Sequence, residues 1–117
     1  MKVREIMKLL EAELLAGEEN LDMEINSACG ADLMSDVMAF VKDHVLLLTG
    51  LVSPQVIRTA EMMDIKVIVF VRGKNPPQNI IDLAKEKGIT VLRTKHPMFI
   101  SCGKLYSQGM IGRGVWD

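Results

Sequence analysis

The sequence predicts an α/β fold, a layered α/β/α domain with a mainly parallel sheet of about four to five strands. Three stretches carry that prediction: VLLLTGLVSP at 45–54, VIVFVRGKNPP at 67–77 and VLRTKHP at 91–97. Each is an apolar run of strand length that stops at a polar loop and resumes as a helix. Apolar runs without alternation belong to strands covered on both faces, and strands alternating with helices imply right-handed crossovers between parallel neighbours. The three units read as a weak internal repeat.

In chain order, Val3, Ile6, Met7 and Leu10 keep helical spacing, with Lys2, Arg4, Glu5, Lys8 and Glu11 between them, so the chain opens on an amphipathic helix. Residues 13–16 read as a short strand ended by Gly17, and Glu18, Glu19 and Asn20 as a solvated turn. The segment MEINSACGA at 23–31 is ambiguous and is read as a short strand or an extended segment. Leu33, Val37, Phe40 and Val41 then return to helical spacing beside Met34 and Met38. Asp32 is the expected cap, and the helix is expected to end near Lys42 and Asp43.

After the strand at 45–49, Ser53 and Pro54 are a cap and first residue for a helix whose inner face is Val56, Ile57, Ala60 and Met63, ended at Asp64. Residues 65–71 form a second strand with exit loop Arg72-Gly73-Lys74-Asn75. Pro76 and Pro77 start a helix with apolar Ile80, Ile81, Leu83 and Ala84, cations Lys85 and Lys87 near its end, and Gly88 after it. Residues 89–93 form a third strand that exits through Thr94-Lys95-His96-Pro97. A last helix is expected to place Phe99, Cys102 and Tyr106 on one side. The glycine-rich tail is a loop from which Trp116 docks onto the body.

The 117 residues suit one domain, 49% hydrophobic and 25% charged, with a net charge of -1 that argues against a general nucleic-acid-binding role. No apolar run is long enough to span a bilayer and no signal segment opens the chain, so a cytoplasmic protein is expected, with neither membrane nor nucleic acid as partner. Cys29 and Cys102 do not form a CxxC pair and read as buried small hydrophobes. His44 and His96 lie far apart, and no metal site or cofactor is expected.

In a parallel sheet ligands bind at the carboxyl ends of the strands. The residues there are Thr49, Gly50, Arg72, Gly73, Lys74, Thr94 and Lys95, which form the candidate ligand-binding set. The glycines allow close approach, the cations supply charge, the threonines supply hydroxyls, and each loop leads into a helix amino terminus, so a phosphate or carboxylate ligand fits. Taken singly, each residue is ordinary turn chemistry; recurrence at three successive strand ends is what marks the patch. Neither GxxxxGK[ST] nor GxGxxG occurs. No catalytic set gathers at this edge, and a small enzyme using Cys102 or His96 is an alternative with no nameable substrate.

The run LTGLVSPQVIRTAEMMDIKVIVFVRGKNPPQNIIDLAKEKGITVLRTK, preceded by LLAGEENLDMEI, resembles the DRTGG domain family and the related amino-terminal domain of HPr kinase/phosphorylase. The resemblance extends from about Glu13 to Tyr106 and makes residues 1–117 a single DRTGG-like domain. The letters DRTGG are absent, and Leu48-Thr49-Gly50-Leu51 is the nearest stretch. The resemblance implies a regulatory or ligand-binding module, joined in other proteins to CBS or catalytic domains and commonly self-associating. It does not imply a kinase, because phosphoryl transfer in that family resides in a separate P-loop domain. The resulting expectation is a non-enzymatic module that binds a small anionic ligand, a nucleotide foremost, and acts through a homodimer or a regulatory protein partner. The alternative is an assembly subunit with no small-molecule ligand.

Overall fold

The computed structural model describes residues 1–40 and 45–112, with the side chain of Phe40 excluded. Its elements are α1 (Val3–Leu9), β1 (Glu13–Ala16), a 3-10 turn (Glu18–Asn20), β2 (Ala28–Gly30) and α2 (Met34–Phe40). They continue with β3 (Leu46–Thr49), α3 (Pro54–Met62), β4 (Val67–Phe70), α4 (Gln78–Glu86), β5 (Thr90–Arg93) and α5 (Met98–Ser107). The expectations for Val41, Lys42, Asp43, His44 and Trp116 lie outside the described residues.

The five strands form one sheet in the order β1-β5-β4-β3-β2. The pairs from β2 to β5 are parallel, and β1 runs antiparallel on the outer side of β5. Strand order advances by one position at each crossover, so right-handed connections place α2, α3 and α4 on the same face. Leu47, Ile68, Phe70 and Val91 point to that face and pack with Met34, Val37, Val56, Ile57, Ala60, Ile80 and Ala84. The alternate residues Leu46, Leu48, Val67, Val69 and Leu92 point the other way, against Val3, Ile6 and Leu10 near α1 and Leu105 of α5. The layered α/β/α reading therefore holds, and β3 and β4 are buried along their whole length.

Several local signals act as expected. The Ser53 hydroxyl accepts a hydrogen bond from the Gln55 N–H at 3.2 Å, and Pro54 opens α3. MEINSACGA resolves into β2, held parallel to β3 from Ala28 against Leu46. Gly17 adopts a φ of +83°, and a Cβ there would stand 2.5 Å from the Thr90 Cα. That approach lets the Thr90 hydroxyl donate to the Gly17 carbonyl at 2.7 Å and accept from the Asn20 amide at 3.0 Å, pinning the 3-10 turn to β5.

Two helices are rotated from expectation. On α2 the buried residues are Met34 and Val37, whereas Leu33 precedes the helix and is 60% exposed. Asp32 is turned toward the end of β3 instead of serving as the expected cap. On α5 the inward residues are Ser101 and Leu105, with Met98 and Cys102 partly covered, while Phe99 and Tyr106 are 84% and 76% exposed. The helix lies close over β2 and β3: the Cys102 and Met98 sulfurs sit beside Gly30, where a Cβ would be 2.9 and 3.1 Å from them.

Gly17→Ala is expected to destabilise the domain by at least about 2 kcal/mol, from left-handed strain plus a backbone clash. Gly103→Ala, on an exposed helical position with open space around it, is expected to stabilise by about 1 kcal/mol. Urea unfolding of the two variants checks both signs.

Candidate functional site

The carboxyl ends of β2, β3, β4 and β5 form a rim, and its centre is a turn. Arg72 and Gly73 have successive φ values of +61° and +66°, and the Lys74 N–H returns to the Val71 carbonyl at 3.3 Å. Two positive φ values in succession are the backbone of a primed turn, in which Gly73 is unstrained and Arg72 costs about 1 kcal/mol or more. The turn is stitched to the next loop: the Arg72 N–H donates to the His96 carbonyl and the Gly73 N–H to the Thr94 carbonyl, each at 2.8 Å. Thr94 is itself anchored, its hydroxyl donating to the Leu10 carbonyl at 2.6 Å and accepting from the His96 N–H at 3.2 Å.

This geometry sorts the seven sequence candidates. Arg72, Gly73, Lys74 and Lys95 are exposed on the rim, whereas Thr49, Gly50 and Thr94 are buried. Thr94 joins the rim to α1 through its hydroxyl. The Gly50 surface is taken by the Arg72 guanidinium, whose Cζ would be 3.1 Å from a Cβ at position 50. The small residue thus makes room for an arginine of the same chain.

Asp32 completes the cluster. Its Oδ1 accepts from the Gly50 N–H at 2.7 Å and lies 3.4 Å from the Thr49 hydroxyl, and its Oδ2 is 3.9 Å from the Arg72 guanidinium. Thr49 also accepts from the Leu51 N–H at 3.1 Å. The short bond to a charged acceptor contributes about 1.5–3 kcal/mol, whereas the half-exposed ion pair is worth about 1 kcal/mol at most. Sequence spacing assigned Asp32 to a helix cap because it precedes α2; its contact with residue 50 depends on β2 pairing with β3. Lys74 and Lys95 have no ion-pair partner among the described residues. The rim carries the exposed cations Arg72, Lys74 and Lys95, with Asp32 against Arg72 and with Glu11 and Glu13 paired to the neighbouring His96 and Arg93.

The His96 ring faces Glu11 at 3.3 Å. Burial raises the thiol pKa of Cys29 and of Cys102, with Cys102 and Asp36 adding to the effect at Cys29, so both are held as thiols and away from the nucleophilic form. Among the described residues, no group of three or more His, Cys, Asp or Glu is placed to hold a metal ion, and no helix is long and apolar enough to cross a membrane. A cleft of about 420 Å³ runs along β1, lined by Leu14, Ala16, Glu18 and Lys85. A groove of about 290 Å³ lies between β2 and α5, beside Gly30, Leu48, Cys102 and Tyr106. Neither includes the seven rim candidates.

The molecule is thus a three-layered α/β domain with exposed cations, Arg72, Lys74 and Lys95, at the carboxyl ends of its parallel strands. The family model of the DRTGG domain matches residues 5–104, and the chain belongs to that family. Among solved structures it is similar to the CBS and DRTGG domains of the regulatory region of Clostridium perfringens pyrophosphatase, complexed with the activator diadenosine tetraphosphate. The TM-score is 0.71 at 22% identity, over 91% of this chain and 46% of that one. The chain therefore spans about half the length of that regulatory region, and the likeness establishes the fold. No curated protein matches the sequence.

Gly50→Ala is expected to cost about 1 kcal/mol or less, because Gly50 is outside the left-handed region and its neighbour is the end of a flexible side chain. The cost is expected to vanish in an Arg72→Ala background. A double-mutant cycle on unfolding free energies measures that coupling.

Proposed function

We propose that the chain is a non-enzymatic regulatory module of the cytoplasm that senses a small anionic metabolite, foremost a nucleotide, and acts through a homodimer. The observation that carries this reading is the rim of Arg72, Lys74 and Lys95 beside the backbone turn at Gly73. Two of these cations lack an ion-pair partner among the described residues, and the third lies across Gly50 beside Asp32. Exposed guanidinium and ammonium groups on neighbouring loops are donors that phosphate takes, while the N–H groups of the turn itself are bonded within the chain. The similar regulatory region from the pyrophosphatase, solved with a nucleotide activator, supports the same ligand class. The raised thiol pKa values count against a cysteine nucleophile.

A specific observation also favours the interaction half of this reading. Phe99 and Tyr106 are seven residues apart on α5, hence on one face of the helix, and both are exposed. Aromatic groups of that size on a helix face suit a contact with a second copy or a regulatory protein. If the chain binds no small molecule, this face is where it works as an assembly subunit.

Millimolar ATP or pyrophosphate is expected to raise the melting temperature, since a ligand at a hundredfold excess over its Kd contributes about 2.7 kcal/mol. Arg72→Ala and Lys95→Ala are expected to weaken binding by about tenfold each while leaving the unliganded melting temperature nearly unchanged. No stabilisation by any anionic metabolite would overturn the sensor reading.

Sedimentation equilibrium tests the second half. The expected species is a dimer that Phe99→Glu and Tyr106→Glu convert to monomer; a monomeric wild type would remove the homodimer.

A further inference from the structure

The rim already holds an anion, and it belongs to the chain itself. We propose that Asp32 is a resident competitor for the ligand, that a polyphosphate group binds by displacing it from Gly50 and Arg72, and that this release of the segment between β2 and α2 is the regulatory signal. The inference rests on the anion-binding reading of the rim and specifies both its ligand class and its output.

Three donors converge on one carboxylate. The Gly50 N–H reaches Oδ1 at 2.7 Å, the Thr49 hydroxyl faces the same oxygen at 3.4 Å, and the Arg72 guanidinium stands 3.9 Å from Oδ2. These are the groups a phosphate oxygen would use, and two of them, Thr49 and Gly50, are buried beneath Asp32 and Arg72. An incoming anion gains Arg72 first, because the guanidinium side chain is 51% exposed, and reaches the Gly50 N–H once the carboxylate has left. A singly charged anion replaces one charge with another and gains little. A group bearing two or more negative charges outcompetes the carboxylate for Arg72 and also draws on Lys74 and Lys95, which are exposed on the adjoining loops.

The consequence of release follows from where Asp32 sits. It lies between β2 and α2, and β2 is a three-residue strand whose named sheet neighbour is β3 alone. Among the described residues, an isolated bridge from Ser27 to Ile111 adjoins it on the other side. The Asp32 carboxylate ties this edge to β3 beyond the last strand pair, Gly30 with Leu48, and beyond the Ala31 N–H bond to the Leu48 carbonyl at 3.0 Å. Losing it loosens the least supported part of the sheet and spares the strands whose faces are fully packed.

Calorimetric titration of the full chain with inorganic phosphate and with pyrophosphate tests the proposal, using wild type, Asp32→Asn and Asp32→Ser. Thermal unfolding identifies any variant that fails to fold. The serine variant keeps a short acceptor near Gly50 without the charge. Wild type is expected to bind pyrophosphate well ahead of phosphate, and both variants are expected to bind phosphate about tenfold more tightly than wild type. In NMR spectra the Gly50 amide resonance of wild type is expected to move on adding pyrophosphate toward its position in Asp32→Asn with added phosphate. Unchanged or weaker binding in both folded variants, with wild-type binding that Arg72→Ala abolishes, would overturn displacement and leave the anion site standing. Folded proteins that bind neither anion would overturn the anion site and the displacement together.

Discussion

The burial of β3 and β4 on both faces is the constraint from which the rest of the structure follows. Leu46, Leu47 and Leu48, and Val67, Ile68, Val69 and Phe70, send alternate side chains into two separate apolar layers. Strands so enclosed have no polar face on which to build a site. Chemistry is confined to the places where they end, and the connections there must satisfy their own backbone groups before they can offer any to a ligand. The domain does this by continuing the ladder past the strands: Val71 donates to Thr49, Gly73 to Thr94 and Arg72 to His96.

That continuation gives the rim its character. At the ends of β4 and β5 the two chains leave for opposite faces, toward α4 and α5, which in an open sheet creates a crevice. Here the hydrogen bonds from Arg72 and Gly73 close the space with backbone. What remains is a shelf with charged side chains standing on it. The left-handed backbone of Arg72 belongs to the same arrangement, since its N–H is held by His96 while its guanidinium lies across Gly50. A nonglycine residue at such an angle persists because the surroundings determine it from several directions.

The fold was legible in the sequence to the extent that it depends on local pattern. The apolar strands, Ser53-Pro54 at the start of α3 and the glycine that ends β1 all state their role within a few residues. The DRTGG resemblance was carried by those same blocks. What the pattern could not convey was contact across the sheet. Asp32 looks like a helix cap to any local reading, and only the parallel register of β2 against β3 brings it to Gly50. The orientation of α5 was hidden for a related reason: Phe99 and Tyr106 are the largest aromatic groups in that helix, yet it turns Ser101 and Leu105 inward and sets Met98 and Cys102 over Gly30. Among the rim residues the exposed cations were legible as cations, whereas the enclosure of Thr49, Gly50 and Thr94 depended on neighbours far away in the chain.

The face opposite α2, α3 and α4 is covered by the first and last helices, and this has a bearing on how the domain can be used. Met1 and Ile25 exchange hydrogen bonds, and Ile111 donates to the carbonyl of the next residue, Asn26. Both ends of the described chain therefore meet at one short segment, at the end of the sheet remote from the rim. The described chain thus starts and reaches Gly112 at neighbouring points away from the strand ends. Such a layout lets a domain be spliced into a longer protein with its rim facing outward and its attachments behind it.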